Sequence, residues 1–165
     1  MSDIEKVVKF SDCGLFRYSL SRKWQSSAHS LPIIMLNPSV ADDVIDDPTI
    51  KRCKAFARRD GFGGIIVMNL FAFRATKPEI MLSAADPIGP ENDGYIDYIM
   101  AKAKEDGLPV LAAWGAHGAH RGRGAAIVGK ADSLGVDLRC LGTTQGGYPR
   151  HPLYVKSDQP LVSLC

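Results

Sequence analysis

Leu31-Pro32-Ile33-Ile34-Met35-Leu36 runs straight into Asn37-Pro38-Ser39. A short continuous apolar run that stops at a turn signature suits a strand buried on both faces, as in a parallel sheet. Gly64-Ile65-Ile66-Val67-Met68-Asn69-Leu70-Phe71 repeats the pattern with more β-branched residues. Between the two runs, residues 48–60 read as a helix. Asp47 is placed to cap it, Pro48 takes the first helical position and Gly61 stops it. Ile50, Cys53, Phe56 and Ala57 form its apolar stripe, with Lys51, Arg52, Lys54, Arg58 and Arg59 largely around the rest.

The same alternation continues outward. Residues 79–85 read as a short helix and 91–106 as a longer one, with Tyr95, Ile96, Ile99 and Ala103 at helical spacing and Gly107 as the stop. Residues 108–114 read as a third strand, 124–134 as a helix and 136–141 as a fourth strand. The Gly-, Pro- and Thr-rich tail from Gly142 reads as loop. Residues 11–22 alternate partly and read as an N-terminal edge strand or hairpin, followed by a polar loop to residue 30. The expectation is an α/β fold, three-layered, with a central, mostly parallel four-stranded sheet. One domain of 165 residues is expected: an N-terminal strand and loop over 1–30, a core over 31–155 and a tail over 156–165.

Composition narrows the class. Hydrophobic residues make up 45% and charged residues 23%, which excludes a chain disordered throughout. A formal net charge of +2 leaves a nucleic-acid partner open without demanding one. No run approaches the roughly 20 apolar residues of a membrane helix. Met1-Ser2-Asp3-Ile4-Glu5-Lys6 lacks the apolar centre of a signal peptide, so no membrane partner and a cytoplasmic location are expected. The four cysteines (Cys13, Cys53, Cys140 and Cys165) lack zinc or redox-pair spacing and read as reduced, mostly buried thiols. No cofactor is expected.

In a parallel sheet, ligands bind beyond the carboxyl ends of the strands. The residues there are Asn37-Pro38-Ser39, Asn69 to Arg74, Trp114 to His117, and Gly142-Thr143-Thr144 followed by Arg150-His151-Pro152. Asn37-Pro38-Ser39 reads either as a plain turn or as an amide and backbone N–H groups facing a ligand. Asn69 must satisfy two amide donors and a carbonyl, against backbone or against an amide-like ligand edge. Arg74 suits a phosphate or carboxylate, or simply the surface. Trp114 reads as core or as a stacking surface. His117 and His120 lack a third metal ligand. Asp42, Asp43, Asp46 and Asp47 form an acidic loop that reads as a metal site or as a solvated loop ending in a cap. His120-Arg121-Gly122-Arg123-Gly124 is basic and precedes a helix, which favours phosphate, but it is not a P-loop. His151, held between Arg150 and Pro152, is suited to presenting an imidazole.

Taken in order, the motifs resemble a known group. They are Leu36-Asn37-Pro38-Ser39, Asp46-Asp47-Pro48-Thr49, Val67 to Thr76, Gly89-Pro90-Glu91-Asn92-Asp93, Ala113 to Gly118 and Pro149 to Tyr154. Over about residues 30–155 the set closely resembles a bacterial and phage family known only as a domain of unknown function. More distantly, the motif order resembles the α/β uracil-DNA glycosylase superfamily. That resemblance implies a nucleobase-recognising enzyme that cleaves an N-glycosidic bond. Asn37 would position water, and His151 would donate to the base oxygen that gains charge. Asn69 would read the base, and Phe71 or Phe73 would stack on it. Pro38, Ser39, Arg74, Trp114, His117 and Arg150 would complete substrate binding, and Arg121 and Arg123, with Arg150, would contact the nucleic-acid backbone. The closing His151-Pro152-Leu153-Tyr154 departs from that superfamily in lacking the serine-rich continuation that carries a DNA-penetrating loop, and Leu153 reads as wedge or core.

Such chemistry builds positive charge on the sugar and negative charge on the departing base, so preorganised donors at the base oxygen are the main help. A duplex substrate would have to be flipped out. The partner expected is nucleic acid or a nucleotide. Two other readings stand beside it: a non-catalytic nucleotide or modified-base binding module, and a metal-dependent hydrolase of small nucleotides that uses the acidic loop.

Overall fold

A computed structural model describes residues 5–39 and 41–164. Among the described residues, seven strands form one sheet: β1 (Glu5–Phe10), β2 (Arg17–Lys23), β3 (Ser30–Met35), β4 (Gly64–Asn69), β5 (Val110–Ala112), β6 (Leu138–Cys140) and β7 (Val162–Ser163). Their order is β1-β2-β4-β3-β5-β6-β7. The four central strands β4, β3, β5 and β6 run parallel, while β1 and β2 on one side and β7 on the other pair antiparallel. Helices α1 (Pro48–Arg59), α2 (Pro78–Leu82), α3 (Asn92–Asp106) and α4 (Arg123–Leu134) complete the mixed α/β fold.

The apolar runs work by strict alternation. Leu31, Ile33 and Met35 of β3, Ile65 and Val67 of β4 and Leu111 of β5 pack with the α1 stripe of Ile50, Cys53, Phe56 and Ala57. Ile34, Met68, Val110 and Ala112 point the other way, into a second cluster with Ile96, Ile99 and Met100 of α3 and Ile127 and Ala131 of α4. Each central strand is therefore clothed on both faces, which is why its sequence reads as an unbroken apolar run. The α1 ends fall where the caps predict: the Asp47 side chain accepts from Ile50 N, and Pro48 opens the helix.

Several expectations are corrected. The sheet has seven strands: β1 and β2 come from the N-terminal segment, where an edge strand or hairpin is expected beside the four core strands, and β7 comes from the tail, which is expected to be loop. Of the edge strand or hairpin expected over 11–22, the hairpin form is present: residues 17–22 lie in β2, one place in from the edge, and residues 11–16 connect it to its antiparallel partner β1. β1 itself is exposed along much of its length and offers little periodicity; its lysines suit an unpaired edge. The tail is not loop throughout: it holds β7 and a 3-10 turn at Pro152–Tyr154. β7 is two exposed residues long, too short for a pattern to register. The short helix α2 starts one residue earlier than expected and ends at Leu82. Among the cysteines, Cys53 and Cys140 are buried, Cys13 is exposed, and Cys165 lies outside the described residues. Burial pushes the Cys53 thiol up to about 12, so it is inert. Among the described residues no helix is long and apolar enough to cross a membrane.

One polar cluster pins the loop before α1. Arg22 is fully buried, and its Nε pairs with Asp46 Oδ1 at 2.7 Å. Its Nη2 donates to Asp42 O, and Lys54 meets the second Asp46 oxygen at 2.8 Å. Burial pushes the Asp46 carboxyl up, but the hydrogen bonds from Lys54 and Arg22 overcome that and leave it below its ordinary value. Asp42 closes an Asx turn by accepting from Val44 N and Ile45 N. Removing Asp46 strands a buried guanidinium. Asp46→Ala is expected to cost about 3 kcal/mol or more in a urea unfolding experiment, and a loss below about 1 kcal/mol would mean that the pair contributes little.

Candidate functional site

The carboxyl ends of the parallel strands open into a cavity of about 670 Å³. That is within the usual range for a small-molecule site. Met35 pairs in register with Asn69, and the ladder runs on past it through Leu70 N to Met35 O and Phe71 N to Leu36 O. The register brings the two asparagine-bearing strand ends level. Asn37 and Asn69 both line the cavity, together with Ser39, Trp114, His117, Arg150 and His151.

Asn37 donates both amide hydrogens to backbone, to Ala75 O at 2.9 Å and to Pro38 O at 3.1 Å. Its Oδ1 takes no hydrogen bond from the described residues, so the acceptor is what it offers. Asn69 is 1% exposed, and neither Nδ2 nor Oδ1 has a partner among the described residues. Its main chain is held from behind. Asn92, itself buried, donates Nδ2 to Asn69 O and Leu70 O, and Arg123 Nε donates to Leu70 O. A buried amide costs roughly 1–3 kcal/mol when its bonds are unmade.

The opposite wall is mounted on α1. Ser39 Oγ donates to Asp47 Oδ2 at 2.5 Å, while Asp47 Oδ1 accepts from Ile50 N at 2.9 Å. The loop that carries His151 folds back through Arg150 N to Gly142 O and Gly115 N to Pro149 O. Gly115 has φ +74°, a left-handed conformation that lets the chain turn sharply after β5. Arg52 of α1 donates Nε to Pro152 O and Nη2 to Val155 O, tying the turn after His151 to the helix. His151 Nδ1 accepts from Leu153 N at 3.2 Å, so a neutral ring carries its proton on Nε2. Burial lowers the His151 pKa below its ordinary value, against an opposing pull from Asp47. The imidazole is therefore neutral at pH 7 and is a donor through Nε2.

Other expected residues stand elsewhere. Phe71 is fully buried in the α3–α4 cluster, its ring 5.6 Å from that of His120. Phe73 packs edge-on against Phe16 at 5.9 Å. Arg74 donates to Gly14 O at 3.0 Å and covers the Phe10 ring. Pro38 is buried behind the cavity wall and does not line it. Arg123 is buried and ion-paired to Asp93 at 2.6 Å, which removes it from any phosphate. Arg121 is exposed, outside the cavity, with Nη2 3.4 Å from Ala84 O and Ala85 O. These three arginines carry the same sequence signal as Arg150, and only Arg150 reaches the cavity. Trp114 is both core and wall: it is 2% exposed, packs in the α3–α4 cluster and lines the cavity. Leu153 and the strongly exposed Tyr154 stand at the rim. The acidic loop is used structurally through Asp42, Asp46 and Asp47, and among the described residues no group of three or more His, Cys, Asp or Glu could hold a metal.

Two lining residues give no sign of that place in the sequence. Arg17 has the pattern of an outward polar position on an edge strand, yet it is buried in the cavity wall. Asp47 has the pattern of a cap, and it is one, but it also faces the cavity.

Two outcomes follow from this geometry. A Cβ on Gly118 would lie 2.1 Å from Trp114 Cδ1. Gly118→Ala is therefore expected to displace the indole, to cost roughly 1–3 kcal/mol and to alter the near-ultraviolet circular dichroism; an unchanged spectrum and stability would count against that contact. Because the folded His151 pKa is below the unfolded one, the unfolded chain binds more protons between the two. Stability should fall as pH drops through the ordinary histidine range and level off once the native ring is also protonated. His151→Gln should make that fall shallower in urea titrations at stepped pH; identical slopes would remove the assignment.

A sequence-family profile described as "Protein of unknown function (DUF1643)" matches residues 17–153. No curated protein matches the chain. Among solved structures, a crystal structure of an α/β hydrolase from Novosphingobium aromaticivorans DSM 12444 is similar at 14% identity and a TM-score of 0.34, over 86% of this chain and 46% of that one. The chain thus spans about half the length of that neighbour. At that distance the likeness carries no argument about either fold or chemistry.

Proposed function

The chain belongs to the DUF1643 family, and from that premise we propose that it recognises a nucleobase in the strand-end cavity and acts on its N-glycosidic bond. The observation that carries this reading is Asn69. A fully buried amide with both polar atoms unmatched, in a cavity shared with Asn37 and His151, calls for a ligand that presents a donor beside an acceptor. The edge of a nucleobase has that form. The order of motifs resembles the α/β uracil-DNA glycosylase superfamily, and a glycosylase-like layout of the parallel strands belongs to the same proposal.

Each residue then has a role its surroundings support. Asn69 reads the base edge. The free Oδ1 of Asn37 orients the attacking water. Neutral His151 donates from Nε2 to the base oxygen as it gains charge, a task for a preorganised donor rather than for a strong base. Trp114 and His117 wall the ring, and Ser39 holds Asp47 and through it the start of α1. Arg150 reaches toward phosphate, while Leu153 and Tyr154 at the rim meet whatever surrounds the extruded nucleotide.

A second reading is favoured by one feature. Asp47 is the one carboxylate among the described lining residues, and both its oxygens are engaged. With no uncommitted carboxylate there to activate water, the same cavity also suits a binding module without turnover.

Oligonucleotides containing uracil, hypoxanthine or a mismatch separate the two readings. Chromatography of released base is expected to detect turnover, reduced at least about 100-fold by Asn37→Ala or His151→Ala. Ligand-induced stabilisation without base release would favour the binding module. No release and no stabilisation across the panel would end both. Asn69→Leu gives an orthogonal reading. Removing an unmatched buried amide should raise the unliganded melting temperature while abolishing base recognition. A variant that is destabilised and still recognises base would contradict the role given to Asn69.

A further inference from the structure

Arg17 enters the cavity from β2 with 3% of its surface exposed. Its Nη1 donates to Ala41 O at 2.8 Å, while its Nε is buried without a partner among the described residues. The edge left over is the side-on pair, Nε and Nη2, which matches two oxygens of a phosphate or carboxylate. Asp47 acts on this guanidinium through space, and its two oxygens accept from Ser39 and Ile50. Burial lowers the Arg17 pKa to about 10, against an opposing pull from Asp47. A buried cation kept in that condition is usually matched by a counter-charge.

The surroundings favour an anion. Among the described residues the lining carries two guanidinium groups, Arg17 and Arg150, against the one carboxylate of Asp47. Arg150 commits Nε to Thr143 O and leaves the rest of its fork to the cavity mouth. The first turn of α1 also faces the cavity through Asp47, Thr49 and Ile50, with the positive end of its dipole. The volume of about 670 Å³ exceeds what a lone base needs and admits a nucleotide.

We infer that the cavity is built for the phosphate of its ligand as well as for the base, with Arg17 receiving a pair of phosphate oxygens and Asn69 taking the base edge. This rests on the nucleobase reading above and narrows it: the ligand is a nucleotide, free or within a strand, and not a free base or nucleoside. Arg17 is then a specificity-determining residue.

Calorimetric titration of the full chain tests this with the nucleosides and 5′-monophosphates of uracil and hypoxanthine, with inorganic phosphate, and with a short single strand containing one deoxyuridine. The monophosphates are expected to bind at least about ten-fold tighter than the matched nucleosides, as a charge-assisted pair would give. Arg17→Lys keeps the charge and loses the fork; Arg17→Gln loses both. Each should shrink the ratio toward one, with circular dichroism confirming the fold, and Arg17→Lys suffices if Arg17→Gln does not fold. A strand that outbinds the monophosphate assigns the phosphate to a phosphodiester; the reverse assigns it to a free nucleotide. Either result upholds the inference. Equal binding of nucleosides and monophosphates, a ratio unmoved by both variants, or no binding of any probe overturns it. Base-dependent binding without phosphate dependence sinks this inference and spares the nucleobase reading. Phosphate-dependent binding that ignores the base and is lost in Arg17→Lys does the opposite.

Discussion

The register between β3 and β4 is the constraint on which the candidate site depends. Parallel pairing sets Met35 beside Asn69, so the two strands end level and their asparagines open on one space. A slip of one residue would turn every side chain of β3 to the other face. Ile33 and Met35 would lose α1, and Ile34 would lose α3 and α4. The cost of such a slip is spread over the whole core, and the alignment of two polar side chains is thereby fixed by apolar packing far from them.

Polar groups do two jobs around the cavity. Behind the wall, Arg22 with Asp46, Arg123 with Asp93, and the Nδ2 of Asn92 with two carbonyls hold the backbone in place. Buried polar atoms without partners among the described residues occur both behind the wall, at Asn92 Oδ1 and His120 Nε2, and on it, at both polar atoms of Asn69 and the Nε of Arg17. Only those of Asn69 and Arg17 belong to residues that line the cavity, where a complementary ligand would supply the missing bonds. Stability given up at a rigid, preorganised surface is a common signature of a binding site.

Much of the fold is legible in the amino-acid sequence. The apolar runs of β3 and β4, the Asp47-Pro48 start of α1 and the α3 periodicity all follow from local rules, and each falls within a residue or two of its expected place. Asn37, Asn69, His117, Arg150 and His151 can be found because strand ends can be located once strands are. Arg17 is hidden because a residue on an outer strand says nothing about what its side chain reaches, here the carbonyl of Ala41 in a distant loop. Phe71 and Phe73 mislead for a related reason. Past a strand end the alternation lapses, and three-dimensional packing, not sequence spacing, decides which aromatic ring turns inward. The arginines of the basic segment look alike in sequence and differ only in the acceptors that tertiary contacts supply.

Helix α1 acts as a common mount. At its N-cap Asp47 holds Ser39, and five residues on Arg52 holds the turn after His151. With a rise of about 1.5 Å per residue, the two anchor points are separated along the axis by about 7.5 Å, a span held by the hydrogen bonds of the helix. While those bonds hold, the two sides of the mouth are carried by one helix over the apolar face of the sheet, so a shift of that helix moves both together.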